Sequence, residues 1–159
     1  MSRLFMFEKP LGMRDTLPEL YEKKHRVRTL MEDAIKQWGY QFIETPTLEY
    51  YETVGTASAI LDPELFKLLD KDGHTLVLRP DMTAPIARVA ASRLLENDLP
   101  LRLAYSGNVY RAQQREGDRP AEFEQIGVEF INDDTVSSDG EAIALLGSSL
   151  KKAGLSQFQ

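Results

Sequence analysis

Apolar positions recur along this chain with two different periods. Val27, Leu30, Met31, Ala34, Ile35 and Trp38 fall on one helical face, Lys and Arg take much of the other, and Gly39 supplies a stop. This spacing predicts a helix that starts at a capping box of Thr16 and Glu19, with Pro18 tolerated in the first turn. A short strand is expected from about Tyr40 to Ile43, breaking at Pro46 and resuming as turn or helix, and Thr56 to Pro63 reads as loop. Phe66 to Leu69 and Thr75 to Leu78 flank Asp72-Gly73, which predicts a small hairpin. Pro80 and Pro85 bracket a turn leading into a helix from Ala84 to Leu95. Towards the end, Asp133-Asp134 make a turn and Ser138 with Glu141 repeats the capping-box pattern. Ala142, Ile143, Leu146 and Leu150 mark the face of a closing helix that ends in Lys151, Lys152 and Gly154, and a further strand is expected from Leu155.

Between these elements lies the stretch from Leu103 to Asn132. Its two arms, Leu103 to Arg111 and Phe123 to Ile131, are apolar and β-favouring, and the middle is crowded with charge plus Gly117 and Pro120. The pattern is that of an antiparallel hairpin with a long polar loop. Side chains alternate along a strand, so Ile126, Val128 and Phe130 point one way while Gln125, Gly127 and Glu129 point the other. One face wants a core and the other a polar ligand. Gly127 leaves backbone bare where a small molecule would lie, and Tyr105, Gly107, Val109 and Arg111 give a similar profile on the opposing arm. An amphipathic hairpin with a solvated polar face fits the same alternation; Gly107 and the spacing of the two arms favour a site.

Hairpin-paired strands with helices set between them predict an α+β domain with an antiparallel sheet flanked by helices. With 159 residues and 42% hydrophobic content, one domain with a real core is expected. The net charge of -6 argues against a broad basic surface for nucleic acid. There is no cysteine, and His25 and His74 are far apart in sequence, which argues against a metal site. No glycine-rich phosphate loop and no Ser/His/Asp or Cys/His set is present, so neither a cofactor nor a catalytic group is assigned. The sequence shows no secretory signal and no membrane-spanning stretch, and the expected location is cytoplasmic.

Four stretches carry the reading further: FEKPLGMRDTLP, WGYQFIETPTLEYYETVG, LRPDMTAPIARVAAS and REGDRPAEFEQIGVE. They resemble the signatures of the synthetase-like paralogues that serve as regulatory subunits of ATP phosphoribosyltransferase in histidine biosynthesis, and GYQFIETPTLEYYE, LRPDMTAPIAR, YSGNVYRAQQREGDRPAEF and EQIGVEF resemble, in this order, those of class II histidyl-tRNA synthetases. The resemblance covers nearly the whole chain and implies a class II aminoacyl-tRNA synthetase-like catalytic-domain fold. Residues 1–159 would be the N-terminal part of that domain, with later family motifs beyond Gln159.

The resemblance also implies a binding set. Asp81 and Thr83 match the turn residues that hold an amino acid's ammonium group, and Arg111, Gln125 and Glu129 match the other histidine-site positions. Acidic acceptors for an ammonium and a guanidinium for a carboxylate suit a zwitterion. Taken alone, Asp81 reads first as a helix cap. Two departures separate the chain from a working synthetase: Arg111-Ala112-Gln113 replaces Arg-x-Glu, and Asp81-Met82 replaces Glu-Gly, placing a bulky side chain where bare backbone had lain.

The expected protein is therefore a non-catalytic regulatory subunit that takes L-histidine as effector and pairs with the catalytic subunit of ATP phosphoribosyltransferase. It would also form a homodimer through the helix from Leu20 to Gly39 and the strand after it, without tRNA or a membrane as partner. The competing reading is a catalytic fragment of histidyl-tRNA synthetase that forms histidyl-adenylate from histidine and ATP. A third is a scaffold with an empty pocket.

Overall fold

The computed structural model describes residues 8–94, 100–112 and 119–157. Its contacts divide the chain into two units. One comprises the described residues of Met1–Thr16, Pro46–Pro85 and Asn108–Glu124; the other comprises those of Leu17–Thr45, Ile86–Gly107 and Gln125–Gln159.

The second unit opens with α1, Pro18–Gln37. Its N-cap is Leu17, which makes no side-chain cap, so the expected Thr16–Glu19 box is not formed. Pro18 explains the shift. Its fixed φ suits the first helical position, which moves the cap one residue past Thr16. Glu19 pairs instead with Lys23 at 2.6 Å, one turn along. The helix ends as expected: Gly39 takes φ +82° and its N–H donates to Lys36 O at 3.0 Å. Only the C-terminal half of the stripe is covered, with Ala34 and Ile35 buried and Val27 43% exposed.

After α1, β1 (Gln41–Phe42) pairs in parallel with β5 (Leu101–Tyr110), Gln41 opposite Leu103 and Phe42 opposite Ala104. β6 (Glu122–Ile131) lies on the other side of β5, giving the order β1-β5-β6. The sheet is thus mixed: the expected hairpin is there, and a parallel strand from far upstream joins its edge. β6 splits its faces as its alternation demands. Ile126, Val128 and Phe130 pack on a core of Ile35, Tyr40, Ala104 and Leu145.

That core is closed by α3, Val136–Lys152, which contacts α1. The helix starts earlier than Ser138–Glu141 suggests. Thr135 is the N-cap and its side chain accepts from Ser138 N at 3.3 Å. Its inner face carries Ser138, Leu145 and Ser149, while Ile143 and Leu146 of the expected stripe are 73% and 58% exposed. Two of the polar residues there have partners: Ser138 Oγ donates to Thr135 O at 2.7 Å, and Glu141 binds Arg102 and Tyr40, whereas Ser149 Oγ is buried with no partner among the described residues. Gly154 (φ +104°) ends the helix, and Leu155 N–H donates back to Leu150 O, so the chain at Leu155 closes the helix and forms no strand among the described residues.

The first unit holds the sheet β2-β4-β3. β3 (Lys67–Leu69) and β4 (Thr75–Leu78) form the expected small hairpin, antiparallel, with Leu68 opposite Leu76. Gly73 turns at φ +88°, and Asp70 Oδ1 accepts from the N–H groups of Asp72 and His74, both at 2.9 Å. β2 (Leu48–Tyr50) is a strand where a turn or helix was expected, paired with β4 through Glu49 opposite Val77. A π-type turn over Tyr51–Gly55 follows, then a 3-10 turn at Asp62–Glu64 within the expected loop. α2 covers Thr83–Val89 and continues as a π-type turn over Ala90–Leu94.

Candidate functional site

The five expected site residues fall into two groups, Asp81, Thr83 and Arg111 in the first unit and Gln125 and Glu129 in the second. In the first, Asp81 sits in the turn from β4 to α2. Its Oδ1 accepts the N–H of Ala84 at 3.1 Å, and its Oδ2 accepts from Ser58 Oγ at 2.6 Å. The capping role expected of Asp81 alone is therefore real, and Ser58 is a partner that sequence reasoning missed. Thr83, the first residue of α2, is exposed. Met82 between them is 1% exposed, so its bulk goes into the core.

Arg111 joins the same turn. Its Nε donates to Pro80 O at 3.1 Å, and its guanidinium carbon lies 5.3 Å from the centre of the Phe123 ring. Its backbone N–H donates to Ala121 O at 2.8 Å, continuing the β5–β6 pairing past the strand ends. Gln113 and Gly117 lie outside the described residues. Arg79, which sequence reasoning also passed over, is the unit's buried cation. It is 8% exposed, with Nε on Asn108 O at 2.9 Å while Tyr110 N–H donates to its carbonyl at 3.0 Å. A lone arginine at a strand end gave no signal of this.

In the second unit, Gln125 and Glu129 occupy the β6 face opposite the core, as alternation requires. Tyr105 of β5 lies on that face. Gln125 Nε2 donates to its hydroxyl at 3.2 Å. A Cβ placed on Gly127 would come 2.5 Å from the Tyr105 hydroxyl oxygen and 2.6 Å from the ring carbon that bears it. This corrects the expectation that Gly127 bares backbone for a small molecule: the room above it belongs to Tyr105. Gln125 Oε1 is buried and has no hydrogen-bond partner among the described residues. A buried amide oxygen left unpaired costs free energy until a donor reaches it.

Behind the sheet, Arg102 grips Glu141 through Nε and Nη2, both at 2.9 Å, and lies 4.4 Å over the Phe130 ring. Tyr40 donates to Glu141 Oε1 at 3.1 Å. Burial, then the Glu141 hydrogen bond, push the Tyr40 hydroxyl up to about 12, and Arg102 holds the Glu141 carboxyl below its ordinary range. These groups serve one another and tie α3 to the sheet. Asp70, Asp72 and His74 bring ligand atoms within 4.8 Å of one another at the β3–β4 turn. Asp70 uses Oδ1 on the turn's N–H groups and Oδ2 on His74 Nδ1, so the cluster is accounted for by closing that turn.

Mixed sheet, hairpin and flanking helices in this order are those of class II aminoacyl-tRNA synthetase catalytic domains, which the chain's structural neighbours contain. Within that class, the chain belongs to the histidyl-tRNA synthetase family, whose profile matches residues 12–159. It is 74% identical over 157 residues to an ATP phosphoribosyltransferase regulatory subunit of Geobacillus thermodenitrificans, covering 99% of this chain and 40% of that protein. A crystal structure described as an ATP phosphoribosyltransferase regulatory subunit/histidyl-tRNA synthetase from Bacillus halodurans is 65% identical, with a TM-score of 0.93 over 99% of this chain and 41% of its own. Apo histidyl-tRNA synthetase of S. aureus is 25% identical, with a TM-score of 0.81 over 95% of this chain and 36% of its own. The chain thus spans about two fifths of the length of the curated relatives it matches.

Proposed function

We propose that this chain is part of a regulatory subunit of ATP phosphoribosyltransferase that binds L-histidine and conveys its presence to a catalytic subunit. The observation that carries the role is the 74% identity to a protein of that name. At that identity, a change of role between the two chains would need a specific cause. The ligand assignment rests on chemistry. Asp81, Thr83, Arg111, Gln125 and Glu129 supply acceptors for an ammonium or imidazole N–H and a guanidinium for a carboxylate. No cofactor or metal is assigned.

In this reading the subunit performs no chemistry. Gln113 in place of the synthetase signature's Glu, and Met82 in place of its Gly, fit a protein that binds an amino acid without activating it. Histidine binding biases the contacts with the catalytic subunit, and feedback control is then a coupling between two sites, typically ~1–3 kcal/mol. The subunit pairs with itself through α1 and the strand after it and acts in the cytoplasm without tRNA; among the described residues no helix is long and apolar enough to cross a membrane.

The test is reconstitution. A polypeptide of the relatives' full length carrying this chain is mixed with a catalytic phosphoribosyltransferase chain, and histidine inhibition of the complex is compared with that of the catalytic chain alone. Histidine sensitivity that appears only in the complex is the expected result. Histidine-dependent ATP–pyrophosphate exchange by the polypeptide itself would defeat the regulatory reading in favour of the synthetase.

A further inference from the structure

The second unit carries a local arrangement that the five-residue set does not account for. Tyr105 is 5% exposed, its ring fills the space over Gly127, and its hydroxyl receives the Gln125 amide. An amide has two poles, and this contact occupies one. Nε2 faces Tyr105, which leaves Oε1 buried and unmet among the described residues. Glu129 stands four residues further along the same face, about 13 Å on at the usual strand rise. An unmet amide acceptor asks for a ligand group that donates an N–H, and a carboxylate further along the same face favours a cationic one over a carboxylate.

We infer that Tyr105 is a positioning residue for the histidine site: its hydroxyl holds the Gln125 amide with Oε1 turned to an N–H donor of the ligand. This deepens the histidine reading and rests on it. Gly127 has its place in the same device, because any side chain there would displace the phenol that orients the amide. The assignment separates Tyr105 from a mere filler. A filler would lose packing on substitution, whereas a positioning residue loses ligand affinity through Gln125 alone.

The experiment is calorimetry of L-histidine and of L-histidinol, which lacks the carboxylate, on the full-length polypeptide and its Tyr105→Phe variant. Phe keeps the ring and removes only the hydroxyl. The expected result is a loss of about fivefold in affinity for both ligands, the worth of one neutral hydrogen bond. In a Gln125→Met background the same Tyr105→Phe change should add nothing, since the amide it positions is gone.

Unchanged affinity for both ligands, a loss confined to histidine, or full additivity with Gln125→Met each overturns the assignment while leaving histidine binding intact. The second of these would mean that the amide turns its NH2 to the carboxylate. Failure of the unaltered polypeptide to bind either ligand overturns the histidine reading itself, and this assignment with it. Should Tyr105→Phe not fold, Gln125→Met carries the test: histidinol affinity should fall, and its retention overturns the assignment.

Discussion

Asp81 and Gln125 are both polar side chains named from the sequence as ligand contacts, and the fold treats them differently. Asp81 has each oxygen engaged by its own unit, one on the Ala84 N–H and one on Ser58. Gln125 has one pole engaged by Tyr105 and the other buried without a partner among the described residues. The first is stable without a ligand. The second has an acceptor left open among the described residues. A residue type in the right register therefore does not establish a binding role; what the fold leaves unsatisfied is the better indicator.

The sharpest way to break this comparison is at Gly127. A Cβ there meets the buried Tyr105 phenol at 2.5 Å, so Gly127→Ala should destabilise the protein by about 3 kcal/mol, at the upper end for overpacking. Chemical denaturation measures this, and a neutral result would mean that Tyr105 moves freely off the strand.

Asp81 separates capping from binding next. Asp81→Ala removes the Ala84 contact and should cost about 1–2 kcal/mol of stability. Asp81→Asn keeps the acceptor and should stay within ~0.5 kcal/mol, while lowering histidine affinity about tenfold if the charge meets the ligand's ammonium. Unchanged affinity in Asp81→Asn would reduce Asp81 to a cap.

A smaller effect is expected from pH, through Tyr40 and Glu141, the second unit's self-satisfied counterpart of Asp81. The Tyr40 pKa is raised, so its contribution is complete below pH 10.0 and is lost as pH rises towards about 12. Glu141 is depressed, so its contribution is present above its ordinary 4.5 and is lost as pH falls through the lower folded value. Tyr40→Phe should flatten the alkaline limb of a stability–pH curve and weaken the acid limb in part, since Arg102 still holds the Glu141 carboxyl down.

The parts legible in the sequence were those set by local periodicity. Alternation along β6 put Ile126, Val128 and Phe130 on the core and Gln125 and Glu129 opposite, and Gly39 and Gly73 marked a helix end and a turn. Non-local pairing was not legible. β1 finds β5 in parallel and β2 finds β4 across intervening elements, and neither partner is written in the short strand itself. The inner face of α3 was missed because Ser138, Glu141 and Ser149 read as surface. Arg102 and Tyr40 make Glu141 acceptable there, and they lie in other parts of the sequence. The role of Gly127 was misread for the same reason, since a bare backbone and one covered by a tyrosine look alike from one strand.

Calorimetric titration of L-histidine into the full-length polypeptide, beside Glu129→Ala and Gln125→Met, tests the histidine face most directly. Saturable binding to the unaltered protein is expected, falling roughly 30-fold when the Glu129 charge is removed and about fivefold when the Gln125 amide is. Heat of binding that neither substitution changes, or no binding at all, would contradict it.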